Sequence, residues 1–388
     1  MSRLSRKISV AFVALMAAAS TANAGLWEVI GNFTPGMPSE AVAISADGSV
    51  IVGSSGTPTG QRAFRWTLDT GIQALPMPVG ASVAYTWATD VSADGSTVVG
   101  YGGNSFSTRV GWEGLVWQNS ATPTEVAVAG KGVWLNGVSG DGSIATGTMH
   151  GTAALDLSEA FRYPIGGVVS PLSGQLYPGA NVQSNATAIS KDGSTIVGDT
   201  VNLDPIIRSA FQWTEAGGMT AVGDFSANAV SRDGSAVVGA MNSANGFQAY
   251  RWTQTGGLTP LSYGPGYTNQ ALGVSGDGKV VVGFVENTSS DLRQAFYWKE
   301  GMSEMRLLQD VLVERYGFDL SGWTLTKAYA VSDDGRTVVG RGYSPQGTDE
   351  AWRAVLAPEP GSWALLGMAG LGLAVYGWQR RSRTARSC

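Results

Sequence analysis

Seven aspartate residues in a recurring setting are the side chains with the clearest potential for chemistry. Each lies two positions after a serine and directly before a glycine, in the pattern Ser-x-Asp-Gly: Asp47, Asp94, Asp141, Asp192, Asp233, Asp277 and Asp334. Loop carboxylates can bind calcium, but a calcium site needs about six to eight converging oxygens and each of these loops offers one carboxylate. Because Asp-Gly also favours a tight hairpin turn, we expect these aspartates to be structural and predict no bound metal or other cofactor.

Carboxylates could also serve glycoside hydrolysis, which uses a pair of them across a cleft. Asp-box sialidases carry Ser-x-Asp-x-Gly turns, but here Asp and Gly are adjacent and the tryptophan that closes that motif is missing. The chain has one histidine, His150, and one cysteine, Cys388, so it is poorly supplied for a Ser-His-Asp triad or a zinc site. We therefore expect a protein without catalysis of its own, with His150 at the surface or in a loop. A glycoside hydrolase or lyase remains an alternative, because 30 acidic residues could provide a carboxylate pair.

The aspartates belong to a thirteen-residue pattern that recurs seven times without gaps, first as AVAISADGSVIVG. Its copies occupy residues 41–53, 88–100, 135–147, 186–198, 227–239, 271–283 and 328–340. Each copy has the alternation of a hairpin, and we expect the serine to hydrogen-bond across the turn. Most copies are followed by an aromatic-polar-aromatic strand such as Phe64-Arg65-Trp66, with both rings on one side, and by a fourth strand such as 217–222. Four strands per repeat of about 48 residues predict an all-β fold, a seven-bladed β-propeller.

The two ends of the repeat region are incomplete in complementary ways. The last unit stops after 351–356 without a fourth strand, and residues 26–33 form a strand that no unit precedes. We predict that these segments complete one blade and close the ring, which removes exposed sheet edges. The propeller would then span 25–356. Apolar residues at helical spacing in 303–316 predict a short packing helix before the seventh repeat.

The first residues have the features of an export signal. Arg3, Arg6 and Lys7 precede an apolar stretch from 8 to 19. Ala22 and Ala24 then fit the small-x-small preference of signal peptidase, with Gly25 as the first mature residue. We predict a helical signal peptide over 1–24 that is removed during export across the inner membrane.

The C-terminal residues 357–388 form a second distinct segment. Pro358, Glu359 and Pro360 precede an uncharged stretch over 363–378, and a basic tail over 380–386 begins with Arg380 and Arg381. The stretch is short for a membrane span, but tryptophans at both ends and arginines after it suit a helix anchored with its basic end in the cytoplasm. The side chains expected in the membrane are Trp363, Leu365, Leu366, Leu371, Leu373, Val375 and Trp378.

Residues 357–381 together resemble a PEP-CTERM sorting signal. The resemblance implies recognition and cleavage by an exosortase, a transient membrane anchor, and a Gram-negative host that makes exopolysaccharide. The repeats resemble those of HAF-repeat proteins, named for a His/Arg-Ala-Phe strand such as Arg62-Ala63-Phe64. That resemblance implies an exported propeller-like body and no catalytic residues.

Charge further narrows the possible partners. The net charge of the whole chain is −5. Residues 1–24 and 361–388 together hold 7 of the 25 basic residues and no acidic residue. The exported body is therefore acidic, and nucleic-acid binding is disfavoured. We expect a cell-surface or extracellular-matrix protein associated with exopolysaccharide or biofilm. A polysaccharide-binding propeller is the first alternative, with Tyr177, Tyr263 and Tyr267 as possible sugar contacts.

Overall fold

Seven antiparallel sheets of four strands each make up nearly all of the regular structure. The computed structural model describes residues 25–79, 84–104, 111–151, 157–177, 181–243 and 246–356. Six sheets, blades 1 to 6, use four consecutive strands each. Their strands are β2 Ser39–Ile44, β3 Val50–Thr57, β4 Gly60–Thr67 and β5 Gly71–Ala74; β6 Tyr85–Val91, β7 Thr97–Gly103, β8 Glu113–Gln118 and β9 Thr124–Val126; β10 Lys131–Val138, β11 Ile144–Gly151, β12 Glu159–Pro164 and β13 Ser170–Pro171; β14 Val182–Ile189, β15 Thr195–Leu203, β16 Ile206–Thr214 and β17 Gly218–Gly223; β18 Ser226–Val230, β19 Ala236–Ser243, β20 Gly246–Thr253 and β21 Gly257–Leu261; β22 Tyr267–Val274, β23 Val280–Asn287, β24 Arg293–Lys299 and β25 Arg306–Leu307.

The seventh blade combines strands from both ends of the propeller. Its three C-terminal strands are β26 Thr324–Val331, β27 Thr337–Tyr343 and β28 Asp349–Val355, and its outer strand is β1 Leu26–Gly31. The strand order is β1-β28-β27-β26. The predicted seven-bladed β-propeller is present, with the outer strand of this blade supplied from the N-terminal side as expected. That strand ends two residues earlier than the expected 26–33.

Each thirteen-residue repeat forms the first strand of a blade, the Ser-x-Asp-Gly turn and the start of the second strand. In every blade the register shifts at the second residue of the repeat, for example between Ala41 and Ala43, which marks a β-bulge. The glycine that ends each repeat lies where the neighbouring strand leaves no room for a side chain. A Cβ at Gly53 would lie 1.9 Å from the carbonyl oxygen of Glu40, and the same backbone approach occurs at Gly100. No other residue type fits this position without moving the backbone.

A ring of backbone hydrogen bonds links the seven Ser-x-Asp-Gly turns around the axis. In six blades the amide of the residue between Ser and Asp donates to the carbonyl of the corresponding residue in the next blade, and these donors are Ala46, Ala93, Gly140, Arg232, Gly276 and Asp333. From blade 4 the donor is instead the Asp192 amide, which bonds to Arg232 O at 3.1 Å. Asp333 N donates to Ala46 O at 3.1 Å, which joins blade 7 to blade 1. We call this end of the propeller the turn face. The opposite end is where the first strand of each blade begins.

Apolar clusters fill the spaces between neighbouring blades. The cluster between blades 7 and 1 includes Ile30, Phe64, Trp66 and Val339. Phe64 and Trp66 are buried while Arg65 between them is partly exposed, so the period-two interpretation of this strand is correct. Since every cluster spans two blades, the ring gains its stability from blade-to-blade packing.

The predicted helix exists but begins later than expected. Helix α1 spans Leu308–Tyr316, buries Leu308, Val311 and Leu312, and ends at Gly317 with φ of 70°. It begins at 308 because the two preceding residues form the edge strand β25 of blade 6. Within the described part of the chain, no helix has the length and hydropathy needed to cross a membrane. The signal peptide, including Ala22 and Ala24, and the sorting segment 357–388 lie outside the described residues.

Candidate functional site

The repeated aspartates are engaged in their own turns. Ser45 Oγ donates to Asp47 Oδ1 at 2.8 Å, and the Val50 amide donates to Ser45 Oγ at 2.9 Å. The same serine-aspartate bond occurs in the other six blades, so the expected bond across the turn is present throughout. Hydrogen bonds from Ser92 and Ser96 lower the pKa of the Asp94 carboxyl. The turns lie one per blade, and among the described residues no three His, Cys, Asp or Glu side chains are grouped to hold a metal.

His150 is not the surface or loop residue expected from the sequence. It lies in β11 and is 8% exposed, with its ring 4.4 Å from the indole of Trp134 in an edge-on arrangement. The expectation was wrong because β11 continues four residues beyond the repeat, which ends at Gly147. His150 is thus part of the packing between two strands of blade 3.

The three tyrosines proposed as sugar contacts are partly buried. Tyr177 Oη lies 2.9 Å from Ser209 Oγ. Tyr263 and Tyr267 form a T-shaped pair with centroids 4.8 Å apart and pack against the apolar cluster of blades 5 and 6. All three precede or begin the first strand of a blade, at the end opposite the turn face. Much of each ring therefore serves packing.

Two positions flanking each repeat form what we call the variable rim. The residue before the repeat pairs directly with the residue after it, on the side of the bulge away from the Ser-x-Asp-Gly turn. The turns are nearly identical in all seven blades, whereas the rim residues differ widely in charge and size. The rim pairs are Glu40 and Ser54, Trp87 and Tyr101, Trp134 and Thr148, Asn185 and Asp199, Ser226 and Ala240, Gln270 and Phe284, and Lys327 and Arg341.

Blades 2 and 3 contribute an aromatic cluster to the variable rim, consisting of Tyr85, Trp87, Tyr101, Trp112 and Trp134. Trp87 stacks on Tyr101 at 5.6 Å and on Trp112 at 5.3 Å. Tyr101 stacks in turn on Trp134 of the next blade, with centroids 5.1 Å apart and planes inclined by 19°. Trp112 is buried, while the other four rings are partly exposed. The cluster offers a continuous, partly accessible aromatic surface across two blades.

Blades 7 and 1 contribute a charged cluster, consisting of Glu40, Lys327, Tyr329, Arg341 and Asp349. Arg341 Nη1 lies 3.4 Å from both Glu40 Oε2 and Asp349 Oδ2. Tyr329 Oη donates to Glu40 Oε2 at 3.1 Å. Burial raises the pKa of the Asp349 carboxyl and of the Tyr329 hydroxyl, and lowers the pKa of the Lys327 ammonium. Charged groups in this cluster are thus held partly away from water.

Glu40 connects the two clusters. Burial raises the pKa of the Tyr101 hydroxyl to about 12, and the negative charge of Glu40 contributes to this increase. Glu40 also accepts the hydrogen bond from Tyr329 in the charged cluster. The charged and aromatic clusters therefore lie on consecutive blades 7, 1, 2 and 3, and the charge of Glu40 acts on both.

A cavity of about 160 Å³ lies on the propeller axis. The bulged residues of the repeats line it, and several donate to the next blade, for example Thr89 Oγ1 to Leu135 O at 2.7 Å and Asn136 Nδ2 to Ala186 O at 2.7 Å. Toward the turn face, Lys191 Nζ lies 3.3 Å from Asp90 Oδ1. Because polar side chains that line the cavity already bond to one another and to the backbone, the variable rim is the better candidate for a ligand-binding site.

The C-terminal region matches a known sequence signal. Residues 356–381 match the family described as the PEP-CTERM protein-sorting motif. The chain carries a PEP-CTERM sorting motif. This motif indicates an exported protein with a C-terminal sorting signal that an exosortase recognises. A search of curated protein sequences finds no match.

Comparison with solved structures finds proteins similar to this chain. The oligogalacturonate lyase of Vibrio parahaemolyticus is 13% identical in sequence to this chain. The alignment covers 87% of this chain and 98% of the lyase chain, with a TM-score of 0.50. Hydrazine synthase of Kuenenia stuttgartiensis is 15% identical, with 80% and 94% covered and a TM-score of 0.47. The propeller domain of the Trilobed protease from Pyrococcus furiosus is 13% identical, with 68% and 82% covered and a TM-score of 0.47. At this identity, the similarity to the lyase shows a common fold.

The variable rim has a signal in the sequence that lies just outside the repeats. When the seven repeats are aligned, one residue stands on each side of every thirteen-residue copy, and in these two flanking columns the residue type changes strongly from blade to blade. Trp87, Tyr101 and Trp134 all occur in these columns. Their contact with one another across blades follows from the closed ring and could not be read from spacing.

Proposed function

We propose that this exported protein acts at the cell surface or in the extracellular matrix of a Gram-negative bacterium and binds extracellular polysaccharide at the variable rim, without catalysis. The observation that supports this proposal is the aromatic cluster of blades 2 and 3. Aromatic rings stack on the apolar faces of sugars, and rings already packed against one another lose little conformational entropy on binding. Export and exosortase processing would place this surface where exopolysaccharide or biofilm matrix is found.

The arrangement of polar groups around the rings also suits sugar recognition. Binding sites for small polar ligands combine apolar surface with a few fixed hydrogen-bonding groups. Glu40 of blade 1 and Arg341 of blade 7 offer such polar groups, and each is held by its neighbours. Tyr177, Tyr263 and Tyr267, at the same end of other blades, would add contacts at the periphery.

Binding of the native exopolysaccharide tests this function. The purified full-length chain would be compared with Trp87→Ala and Tyr101→Ala by affinity electrophoresis in gels containing the host polysaccharide. Both variants should lose retardation, because each removes a stacking surface. Trp252→Ala is a matched control, since Trp252 is partly exposed near the turn-face end of β20. Thermal unfolding of every variant identifies those that fail to fold. Equal retardation of wild type and both rim variants would disprove binding at the aromatic cluster.

A glycoside hydrolase or lyase is the second candidate function. The observation that favours it is the pair of carboxylates, Glu40 and Asp349, held by one guanidinium at the rim, with the pKa of Asp349 raised by burial. A carboxyl with a raised pKa is suited to act as a general acid. Release of reducing ends or unsaturated products from the host polysaccharide, abolished by Asp349→Asn, would support catalysis. Stable polysaccharide in the presence of the wild-type chain would support binding alone.

A further inference from the structure

We infer that the polysaccharide bound at the variable rim is acidic, and that Lys327 binds an anionic substituent of its sugars. This inference rests on the proposed function and adds the chemical class of the ligand. The relevant anions are carboxylate and sulfate ester groups, since both carry a charge that an ammonium can neutralise. The pairing of the charged side chains on blades 6, 7 and 1 indicates where such an anion can bind.

Lys327 differs from its charged neighbours in its contacts. Its Nζ lies 5.0 Å from the centre of the Phe284 ring and 5.7 Å from that of Tyr329. In the part of the chain that the structure describes, Lys327 has no carboxylate within ion-pair distance. Its closest attractive partners among the described residues are these aromatic faces, which hold a cation without neutralising it, while Glu40 and Glu286 attract it from beyond ion-pair distance.

The acidic residues near Lys327 are already paired with arginines. Glu40 and Asp349 both lie 3.4 Å from Arg341 Nη1. Glu286 lies 3.2 Å from Arg293 Nε on the neighbouring blade 6. Planar guanidinium groups bind carboxylates more strongly than an ammonium does. This distribution leaves Lys327 as the cation that an external anion can approach without displacing a carboxylate.

The surroundings of Lys327 favour the arrival of an anion. The side chain is about half removed from water, and this burial is the main cause of its lowered pKa, to which the positive charges of Arg341 and Arg293 also contribute. Glu40 and Glu286 oppose this shift, but they are outweighed, and a cation that remains partly desolvated beside two arginines is stabilised when a negative group binds to it. Phe284 and Tyr329 fix the ammonium in position, so little side-chain entropy remains to be lost.

The exported body is acidic, so its overall charge does not favour binding of an acidic polysaccharide. Residues 25–360, which follow the signal peptide and include the Pro-Glu-Pro motif, hold 18 basic and 30 acidic residues. A protein with this excess of negative charge repels polyanions at long range. Attraction to an acidic polysaccharide therefore has to arise at a local cationic position, and Lys327 occupies in blade 7 the position that Trp87 and Trp134 occupy in blades 2 and 3.

Three polymers with one backbone separate the parts of this inference. Dextran, carboxymethyl-dextran and dextran sulfate differ in the charged group alone, and affinity electrophoresis of the purified full-length chain compares them directly. We expect tighter binding to one or both charged polymers than to neutral dextran. Preference for carboxymethyl-dextran identifies carboxylate as the recognised group, and preference for dextran sulfate identifies sulfate; either result supports the inference.

Substitution of Lys327 links the preference to this side chain. Lys327→Gln should weaken binding of the preferred charged polymer about tenfold, the effect of one charge-assisted hydrogen bond, and leave binding of neutral dextran unchanged. Lys327→Arg should retain the preference. Lys279→Gln removes the same charge from an exposed lysine near the turn face and should change nothing. Equal binding of the three polymers, unaffected by Lys327→Gln, would overturn the inference and leave polysaccharide binding intact. Failure of the chain to bind any polysaccharide, including that of its host, would overturn the proposed function itself.

Discussion

Arg353 Nη1 lies 2.9 Å from Glu28 Oε2, although the two are 325 positions apart in the sequence. Arg353 belongs to β28 and Glu28 to β1, the outer two strands of blade 7. The same guanidinium lies over the indole ring of Trp66 in blade 1, 5.2 Å from its centre. One partly buried side chain therefore joins the first strand, the last strand and the neighbouring blade at the closure of the ring.

Arg353→Ala should destabilise the propeller by about 2 to 4 kcal/mol, because it leaves Glu28 partly buried without its partner and removes the contact with Trp66. Chemical denaturation followed by tryptophan fluorescence measures the change. Arg336→Ala serves as the control, since Arg336 is exposed and lies 3.9 Å from Asp334; it should change stability by less than about 0.5 kcal/mol. Equal effects of the two substitutions would show that closure does not depend on this ion pair.

Substitution of the buried serine of the repeat should lower the stability of the fold more than substitution of an exposed serine beside the turn. Ser92 is fully buried, and its Oγ accepts from the Thr97 amide at 2.9 Å while donating to Asp94 at 2.6 Å. Ser92→Ala leaves a buried amide without an acceptor and should cost about 1 to 3 kcal/mol. Ser49, which is exposed and also bonds to a turn aspartate, should cost less than about 0.5 kcal/mol on conversion to alanine. Urea denaturation curves of the two variants decide between these expectations.

The terminal glycine of each repeat should tolerate no side chain. A Cβ at Gly239 would lie 1.9 Å from the Ser226 carbonyl oxygen, so Gly239→Ala should cost more than about 3 kcal/mol or prevent folding. Gly257 in the same blade has φ of +65° and open space where a Cβ would lie; its conversion to alanine should cost about 1 to 2 kcal/mol. Soluble yield and thermal unfolding of the two variants test the difference. A stable Gly239→Ala protein would mean that the strands can separate at the bulge.

Stability should depend on the protonation of the turn aspartates. The pKa of Asp94 is below its ordinary value of 3.8 in the folded chain, chiefly through the hydrogen bond from Ser92. A carboxyl with a lowered folded-state pKa stabilises the fold above its unfolded pKa, and this stabilisation disappears as pH falls through the folded value. Asp94→Asn should therefore lower stability at pH 7, and its difference from wild type should shrink as the pH falls below 3.8. A difference that stays constant from pH 7 to the acid range would contradict this role.

The repeat architecture could be predicted because its information is local. The adjacent Asp and Gly, the alternating residues around them and the serine two positions earlier determine each hairpin within thirteen residues. The missing fourth strand after 351–356 then required a strand from elsewhere, and Leu26–Gly31 provides it. In both cases, counting strands and recognising turns was sufficient.

The candidate site could not be predicted in the same way. Trp87 and Trp134 are 47 positions apart in sequence, and their shared surface with Tyr101 exists because blades 2 and 3 are neighbours in a closed ring. The position of His150 depended on how far β11 continues past the repeat, which packing against Trp134 determines. Contacts between blades decide such features, and the sequence pattern within one repeat does not contain them.

Replacing either partner of the ion pair near the turn face should lower stability, but by unequal amounts. Lys191 Nζ lies 3.3 Å from Asp90 Oδ1, and the two residues come from blades 4 and 2, with Gly140 of blade 3 between them. Asp90 also accepts from the Val138 amide at 2.9 Å and from the Val91 amide at 2.8 Å. Lys191 has a second acceptor in Val91 O at 2.9 Å.

Asp90→Ala should therefore cost about 2 to 4 kcal/mol, because it leaves the Val138 amide of blade 3 without its acceptor and the partly buried Lys191 ammonium without its carboxylate partner. Lys191→Ala should cost about 1 kcal/mol, since Asp90 keeps both amide bonds. The double variant should cost less than the sum of the two, as expected for residues in direct contact. A denaturation series on the three variants and wild type measures all four stabilities. If the lysine variant is the less stable of the single variants, the carboxylate does not link blades 2 and 3.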